Sequence, residues 1–222
     1  MRMRHKKHLD EKVASVGDYM LALRSDDLNF RTAVLNKEYI DLKKIFGRTA
    51  PLHLEVGCGK GQFAVELARR RPDINILGIE LDRNIAWMAA KKSKDAGLTN
   101  FKVLYMKAEY LTKYLPENSV DMIYLNFSCP FPKSDYESHR LTCGRFLSIY
   151  RELLKDSGEI WQKTDDPRFF EYSIESFSEN GWKLKNVSLD LHSSKFKDNI
   201  VTEYEQRFTE QGKPIYRLEA YL

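Results

Sequence analysis

Cysteine is scarce in these 222 residues. Cys58, Cys129 and Cys143 are an odd set without a Cys-x-x-Cys pair, which excludes a disulfide scaffold and a structural zinc site and suits a reducing cytoplasm. No metal is expected. No apolar run approaches the length needed to span a bilayer, so no membrane association is expected either. The opening Met1-Arg-Met-Arg-His-Lys-Lys-His is basic but has no apolar stretch behind it, and does not read as a secretory signal. Internal repeats and low-complexity linkers are missing as well.

What is present is ample core material: 42% hydrophobic and 12% aromatic residues, enough for one α/β domain with a short appendage. The net charge of +4 is mild but unevenly placed. Residues 1–12 carry five Lys/Arg against Asp10 and Glu11, a local +3. Such an arm suits phosphate contacts, or serves only as a solvated tail. Residues 1–48 are therefore expected to form a basic N-terminal arm and one helix around Asn36–Phe46, closed by Gly47. Residues 49–222 are expected to form the main domain.

From Pro51 onward strands and helices alternate. Strands are expected at Leu52–Val56, Ile74–Glu80, Phe101–Met106, Val120–Phe127, Gly158–Lys163, Trp182–Leu191 and Pro214–Tyr221. Helices are expected at Gln62–Arg71, Arg83–Ala96, Leu141–Lys155 and Pro167–Asn180. This alternation predicts an α/β fold: a doubly wound, mostly parallel, seven-stranded Rossmann-like sheet with a short basic N-terminal extension. The last two strands lack the crossover spacing and are expected to pair antiparallel at one edge.

Glu55-Val-Gly57-Cys-Gly59-Lys-Gly61 ends a strand and opens a helix. Glycines there permit positive φ and let the backbone approach a ligand. A dinucleotide fingerprint would place a third glycine where this chain has Gln62. The pattern is Gly-x-Gly-x-Gly behind an acid, which suits the ammonium group of S-adenosylmethionine better than a pyrophosphate. Glu80, 23 residues after Gly57, ends the next strand, where a carboxylate can accept from both hydroxyls of a ribose. A purely structural turn is the alternative.

Beyond the fourth strand, Asn126-Phe-Ser-Cys129-Pro-Phe-Pro132-Lys133 makes a proline-stiffened loop at the sheet edge where doubly wound folds bind ligands. Asp166 reads as the cap of a helix that begins at Pro167, which leaves Asp165 free to accept protons from a base edge. Thr202-Glu203-Tyr204-Glu205 has the spacing of a capping box.

Asn126-Phe-Ser-x-Pro-x-Pro-Lys133, Thr164-Asp165 and Asn199-Ile-x-Thr202-Glu-Tyr-Glu205, followed by Pro214-Ile-Tyr-Arg217, resemble the bacterial tRNA (guanine-N7)-methyltransferases. The likeness runs from about Leu52 to Leu222, and weakly through the basic start. It implies a cytoplasmic enzyme that methylates N7 of a guanosine in the tRNA variable loop, with S-adenosylmethionine as cofactor, tRNA as partner, and homodimerisation compatible with the chain. It implies cofactor contacts at Glu55, Gly57, Gly59, Gly61, Glu80, Lys107, Ala108, Glu109 and Asn126. It implies substrate contacts at Lys133, Asp165, Thr202, Glu203, Tyr204 and Glu205.

The chain departs from the family pattern at three places. An active-site aspartate is replaced by Cys129, an adenine-binding aspartate by Lys107, and a tryptophan by Phe131. An ammonium at 107 cannot accept from an adenine amino group, so Glu109 or a backbone carbonyl is expected to take that role. Guanine N7 has a lone pair and no proton, so activity is expected to survive without the aspartate. The alternatives are a tRNA-binding relic, or another base methyltransferase, including a cytosine-C5 enzyme with Cys129 as nucleophile. Cytosine-C5 enzymes set proline before the cysteine, whereas Pro130 follows it here.

Overall fold

In the computed structural model, which describes residues 8–23 and 29–222, the chain builds one eight-stranded sheet. The basic arm, Met1–Lys7, lies outside the described residues. The strands are β1 (Met20–Ala22), β2 (Leu52–Val56), β3 (Asn75–Glu80), β4 (Phe101–Tyr105), β5 (Val120–Asn126), β6 (Leu154–Thr164), β7 (Lys183–Ser188) and β8 (Tyr216–Tyr221). The helices are α1 (Leu9–Val16), α2 (Phe30–Ala33), α3 (Leu42–Phe46), α4 (Gln62–Arg70), α5 (Arg83–Asp95), α6 (Leu111–Tyr114), α7 (Gly144–Leu153), α8 (Pro167–Glu179) and α9 (Glu203–Glu210).

The sheet order is β1-β4-β3-β2-β5-β6-β8-β7. All pairings from β1 to β6 are parallel, and β8 lies antiparallel between β6 and β7. The doubly wound expectation holds, antiparallel edge included. β1 is the strand that the sequence did not signal: three residues pairing with Val103–Tyr105, too short to show alternation.

The central strands are apolar because both faces are covered. β2 is buried at every position, and β3 at all but Glu80. The core divides into two clusters. One includes Leu54, Leu77, Ile123, Tyr150, Phe170 and Phe177, and the other Phe63, Ile76, Ala89 and Phe101.

Two helix boundaries differ from expectation. Residues 36–40 are not helical; Glu38 and Ile40 donate to the backbone carbonyls of Lys113 and Tyr114. The helix begins only after Asp41, whose carboxylate accepts from Lys44 N at 2.9 Å, and Gly47 closes it in the left-handed region. The helix expected over Leu141–Lys155 shortens to α7, because Leu154 leaves it to pair with Val120 and open β6. The Asp166–Pro167 start of α8 is as expected, with Asp166 accepting from Phe169 N at 2.8 Å.

Among the described residues no helix is long and apolar enough to cross a membrane.

Candidate functional site

The parallel strands bring their carboxyl ends to one edge of the sheet, as the right-handed crossovers of this architecture require. A cavity of about 650 Å³ opens there. Its walls come from the loop after β2, the ends of β3 and β4, the loop after β5, and the start of α9.

The β2 side is set by backbone. Gly57, Gly59 and Gly61 all have positive φ. At Gly61 a Cβ would stand 2.8 Å from that of Ala89, so glycine also lets α4 pack on α5. At Gly59 nothing lies within 4 Å of an added Cβ, and the demand is conformational alone.

Two acids flank this loop in opposite environments. Glu80 accepts from Gly59 N at 3.0 Å through one oxygen and from Leu81 N and Asp82 N at 2.8 and 2.9 Å through the other. A carboxylate has about four acceptor sites, so room remains for a hydroxyl. Glu55 is 3% exposed. One of its oxygens accepts from Asn126 Nδ2 at 3.0 Å, while the other is buried without a partner. Burial pushes its carboxyl up to about 8, against the opposing pull of the Asn126 hydrogen bond, the nearby Lys163 charge and the Ala64 backbone amide. An unpartnered carboxylate oxygen in a cavity wall suits a cationic group.

The facing wall is built of side chains from distant segments. Phe127 has φ +51 directly after β5, and its amide donates to Lys163 O at 2.8 Å. Tyr204 stacks over it at 6.4 Å between ring centroids and 22° between planes, with 56% of its surface exposed. Phe131, at φ +42, also lines the cavity and lies 5.6 Å from the His139 ring. The loop between these aromatics is clamped by buried Arg140, which donates to the carbonyls of Pro130 and Phe131 at 2.9 and 3.0 Å.

Of the expected cofactor residues, Glu55, Gly57, Gly59, Glu80, Lys107, Ala108, Glu109 and Asn126 line this cavity, as does exposed Cys129. Gly61 stands behind the loop as the residue before α4. Of the expected substrate residues, Thr202, Glu203 and Tyr204 line it. Glu203 is held by Lys92 at 3.2 Å and by Lys60 of the glycine loop at 3.5 Å.

Three expected substrate residues lie apart from the cavity lining. Lys133 is exposed beyond the loop, and Asp165 pairs with Lys213 at 3.2 Å. Glu205 is fully buried, in an ion pair with Lys163 at 2.6 Å. Half of the expected capping box forms: Thr202 Oγ1 accepts from Glu205 N at 3.0 Å. The glutamate does not reach back to the cap, because Lys163, Asn199 and His192 claim its carboxylate.

Reasoning from sequence missed Phe127, His139, Arg140, Leu141, Phe146 and Arg207. Only Phe127 carried a usable signal, as an aromatic next to Asn126 at the end of a strand.

Similarities to known proteins follow the same outline. The family model described as "Putative methyltransferase" matches residues 49–218. A tRNA (guanine-N(7)-)-methyltransferase of Streptococcus pneumoniae is 42% identical over 220 residues, covering 99% of each chain. One from Bacillus velezensis is 43% identical over 219 residues, covering 99% of this chain and 96% of that one. Among solved structures, an antibiotic-related methyltransferase superposes with a TM-score of 0.61 at 19% identity, over 90% of this chain and 97% of that one. A SAM-dependent methyltransferase from Aquifex aeolicus gives 0.55 at 16% identity, over 87% and 98%. These two likenesses concern the fold.

Proposed function

The chain belongs to the tRNA (guanine-N(7)-)-methyltransferase family, and from that premise we propose that it transfers a methyl group from S-adenosylmethionine to N7 of a guanosine in the variable loop of tRNA. The observation that carries the cofactor half is the buried, unpartnered oxygen of Glu55, set between the glycine loop and Glu80 in the cavity wall.

The residues present fit that cofactor. Glu55 would take its ammonium group, Glu80 its ribose hydroxyls, and the backbone of Gly57 and Gly59 would line its methionine portion. Lys107, Ala108, Glu109 and Asn126 would border the rest; a backbone carbonyl, or the Glu109 oxygen not taken by Arg145 at 3.5 Å, would accept from an adenine amino group. When bound, S-adenosylmethionine supplies an electrophilic methyl group on a sulfonium centre.

The protein's own residues have little proton chemistry to perform, since guanine N7 is a free lone pair. Their work is to hold the base in line and exclude water. Phe127 and Tyr204 offer a flat aromatic face for an unstacked base, and Phe131, which also lines the cavity, offers a second one. Thr202 and Glu203 border the same space. Cys129 stands where the family's aspartate would add electrostatic support, which is helpful to a cationic product but not required. Lys133 and Asp165 would meet the tRNA outside the cavity, and the basic arm would add phosphate contacts.

The test is incubation with labelled cofactor and unmodified tRNA transcript, followed by nucleoside mass spectrometry. N7-methylguanosine is the expected product. Methylcytidine or methyladenosine, or no incorporation despite cofactor binding, would overturn the proposal.

A further inference from the structure

Lysine is an unusual residue to find sealed inside a sheet, and Lys163 is 6% exposed near the end of β6. Its ammonium has three protons and three acceptors: Glu205 Oε2 at 2.6 Å, Ile200 O at 2.8 Å and Asn199 Oδ1 at 3.0 Å. Two of the acceptors lie in the segment that leads into α9, and the third, Glu205, lies in the first turn of that helix, the element that presents Thr202, Glu203, Tyr204 and Arg207 to the cavity. Asn199 also donates to the other oxygen of Glu205, which closes the knot.

The same residue reaches the cofactor side through its backbone and its charge. Lys163 pairs with Asn126 across β5 and β6, and its carbonyl accepts from Phe127 N at 2.8 Å. Asn126 in turn donates to Glu55. One lysine thus joins the segment under Tyr204, the backbone under Phe127, and the residue that orients Glu55.

We propose that Lys163 is a positioning residue for methyl transfer, fixing the base-facing wall of the cavity relative to the cofactor acid Glu55. The proposal rests on the functional reading above, and nothing in that reading assigns a task to Lys163.

A buried ion pair is a poor way to gain stability, because desolvation offsets most of the attraction. It is a good way to select one arrangement, since any shift of the 199–205 segment would strand a charge. Alignment matters here more than acid–base chemistry, and a misplacement of about 1 Å costs on the order of 100-fold in rate.

The charge has a second, separable effect. Around Glu55 stand Asn126, Lys163, Glu80, the Cys58 thiol and the Tyr124 hydroxyl; around Lys163 stand Glu205, Glu55 and Arg217, with His192 against Glu205. Lys163 is the cation in the Glu55 group, and it favours the ionised carboxylate. Cofactor affinity should therefore rise with pH as Glu55 ionises, and fall again when the cofactor's own ammonium loses its proton. Only the rising limb reports on Lys163.

The experiment compares the full-length parent with Lys163→Gln and Asn199→Ala. Lys163→Gln keeps a donor for Glu205 and removes the charge. Asn199→Ala loosens the segment and keeps the charge. Each is read by thermal melting, by S-adenosylmethionine calorimetry between about pH 6 and 10, and by single-turnover N7 methylation of a tRNA transcript at saturating cofactor.

Lys163→Gln should cut the single-turnover rate by about 100-fold and move the rising limb of cofactor binding to higher pH by about half a unit or more. Asn199→Ala should cut the rate by about 10-fold and leave that limb in place. A folded Lys163→Gln with a rate within about 3-fold of the parent, or with an unmoved limb, would overturn the proposal. Should Lys163→Gln not fold, an Asn199→Ala rate equal to the parent's would overturn it alone. A parent that makes no N7-methylguanosine defeats the functional reading itself, which is a different failure.

Discussion

The two walls of the cavity are made by different means. The glycine-loop wall is backbone held by backbone and by one carboxylate, with Glu80 gathering three amides from two segments. The aromatic wall is side chains held by buried cations: Arg140 grips the carbonyls of the Pro130–Phe131 turn, and Lys163 grips the entry to α9. The first design suits a cofactor whose shape never varies. The second suits a base drawn from a large, mobile partner, because loops on a rigid scaffold can present side chains without committing the sheet. Glu55 lies at the boundary, fixed by Asn126 on one oxygen and unpartnered on the other.

Glu80→Ala should break the first wall most severely. It removes the proposed ribose acceptor and the anchor of Gly59 together, and S-adenosylmethionine affinity measured by calorimetry should fall by about 100-fold or more. Unchanged affinity would mean that the glycine loop is held by something else.

Glu55→Gln should cost less affinity, about 10- to 30-fold, because the amide keeps the Asn126 contact and loses the charge. It should also stabilise the free protein at alkaline pH. A carboxyl raised in the folded state contributes stability that is present below its unfolded value and lost as pH rises through about 8. At pH about 9 the variant's Tm should exceed the parent's by roughly 2–8 °C, and at pH about 5 the gap should close. An equal gap at both values would remove ionisation as the cause.

Tyr204→Ala should touch only the aromatic wall. It should lower kcat/KM for tRNA by about 10-fold, the worth of one base stack, and leave cofactor affinity unchanged. Tyr204→Phe should restore the rate. A matching loss of cofactor affinity would show that the two walls are not separable.

The smallest effect is expected at Cys129. Cys129→Ala should retain N7 methylation within about 3-fold of the parent, and Cys129→Asp should equal or exceed it through added electrostatic support. Complete loss in a folded Cys129→Ala, checked by circular dichroism, would make the thiol a participant.

The same division explains what could be read from sequence. β2 to β5 were legible because strands buried on both faces are rich in apolar residues over their whole length, and the glycine loop was legible because positive φ narrows the choice of residue. Glu80 followed from its position at a strand end. The aromatic wall was legible only where resemblance pointed to it, since Phe127, Tyr204 and His139 have no common spacing. Arg140 looked like any charged loop residue. Lys163 was harder still: a lysine at the end of a strand ordinarily reads as solvated, and nothing nearby in sequence announces that Glu205, 42 residues later, will bury it. β1 was lost because three residues cannot show a period.

β8 carries a consequence for how the molecule comes into being. It is the last of the eight strands to leave the ribosome, yet it sits inside the sheet, with β6 on one side and β7 on the other. Until it arrives β7 has no strand to pair with and β6 has a bare edge, because Ile160 waits for Ala220 and Thr164 for Tyr216. A nascent chain arrested before Tyr216 therefore holds a parallel half-sheet from β1 to β6 with an open edge, the kind of species that invites pairing between molecules. Closure must come late and over a long loop, which makes docking of this strand the natural slow step of folding.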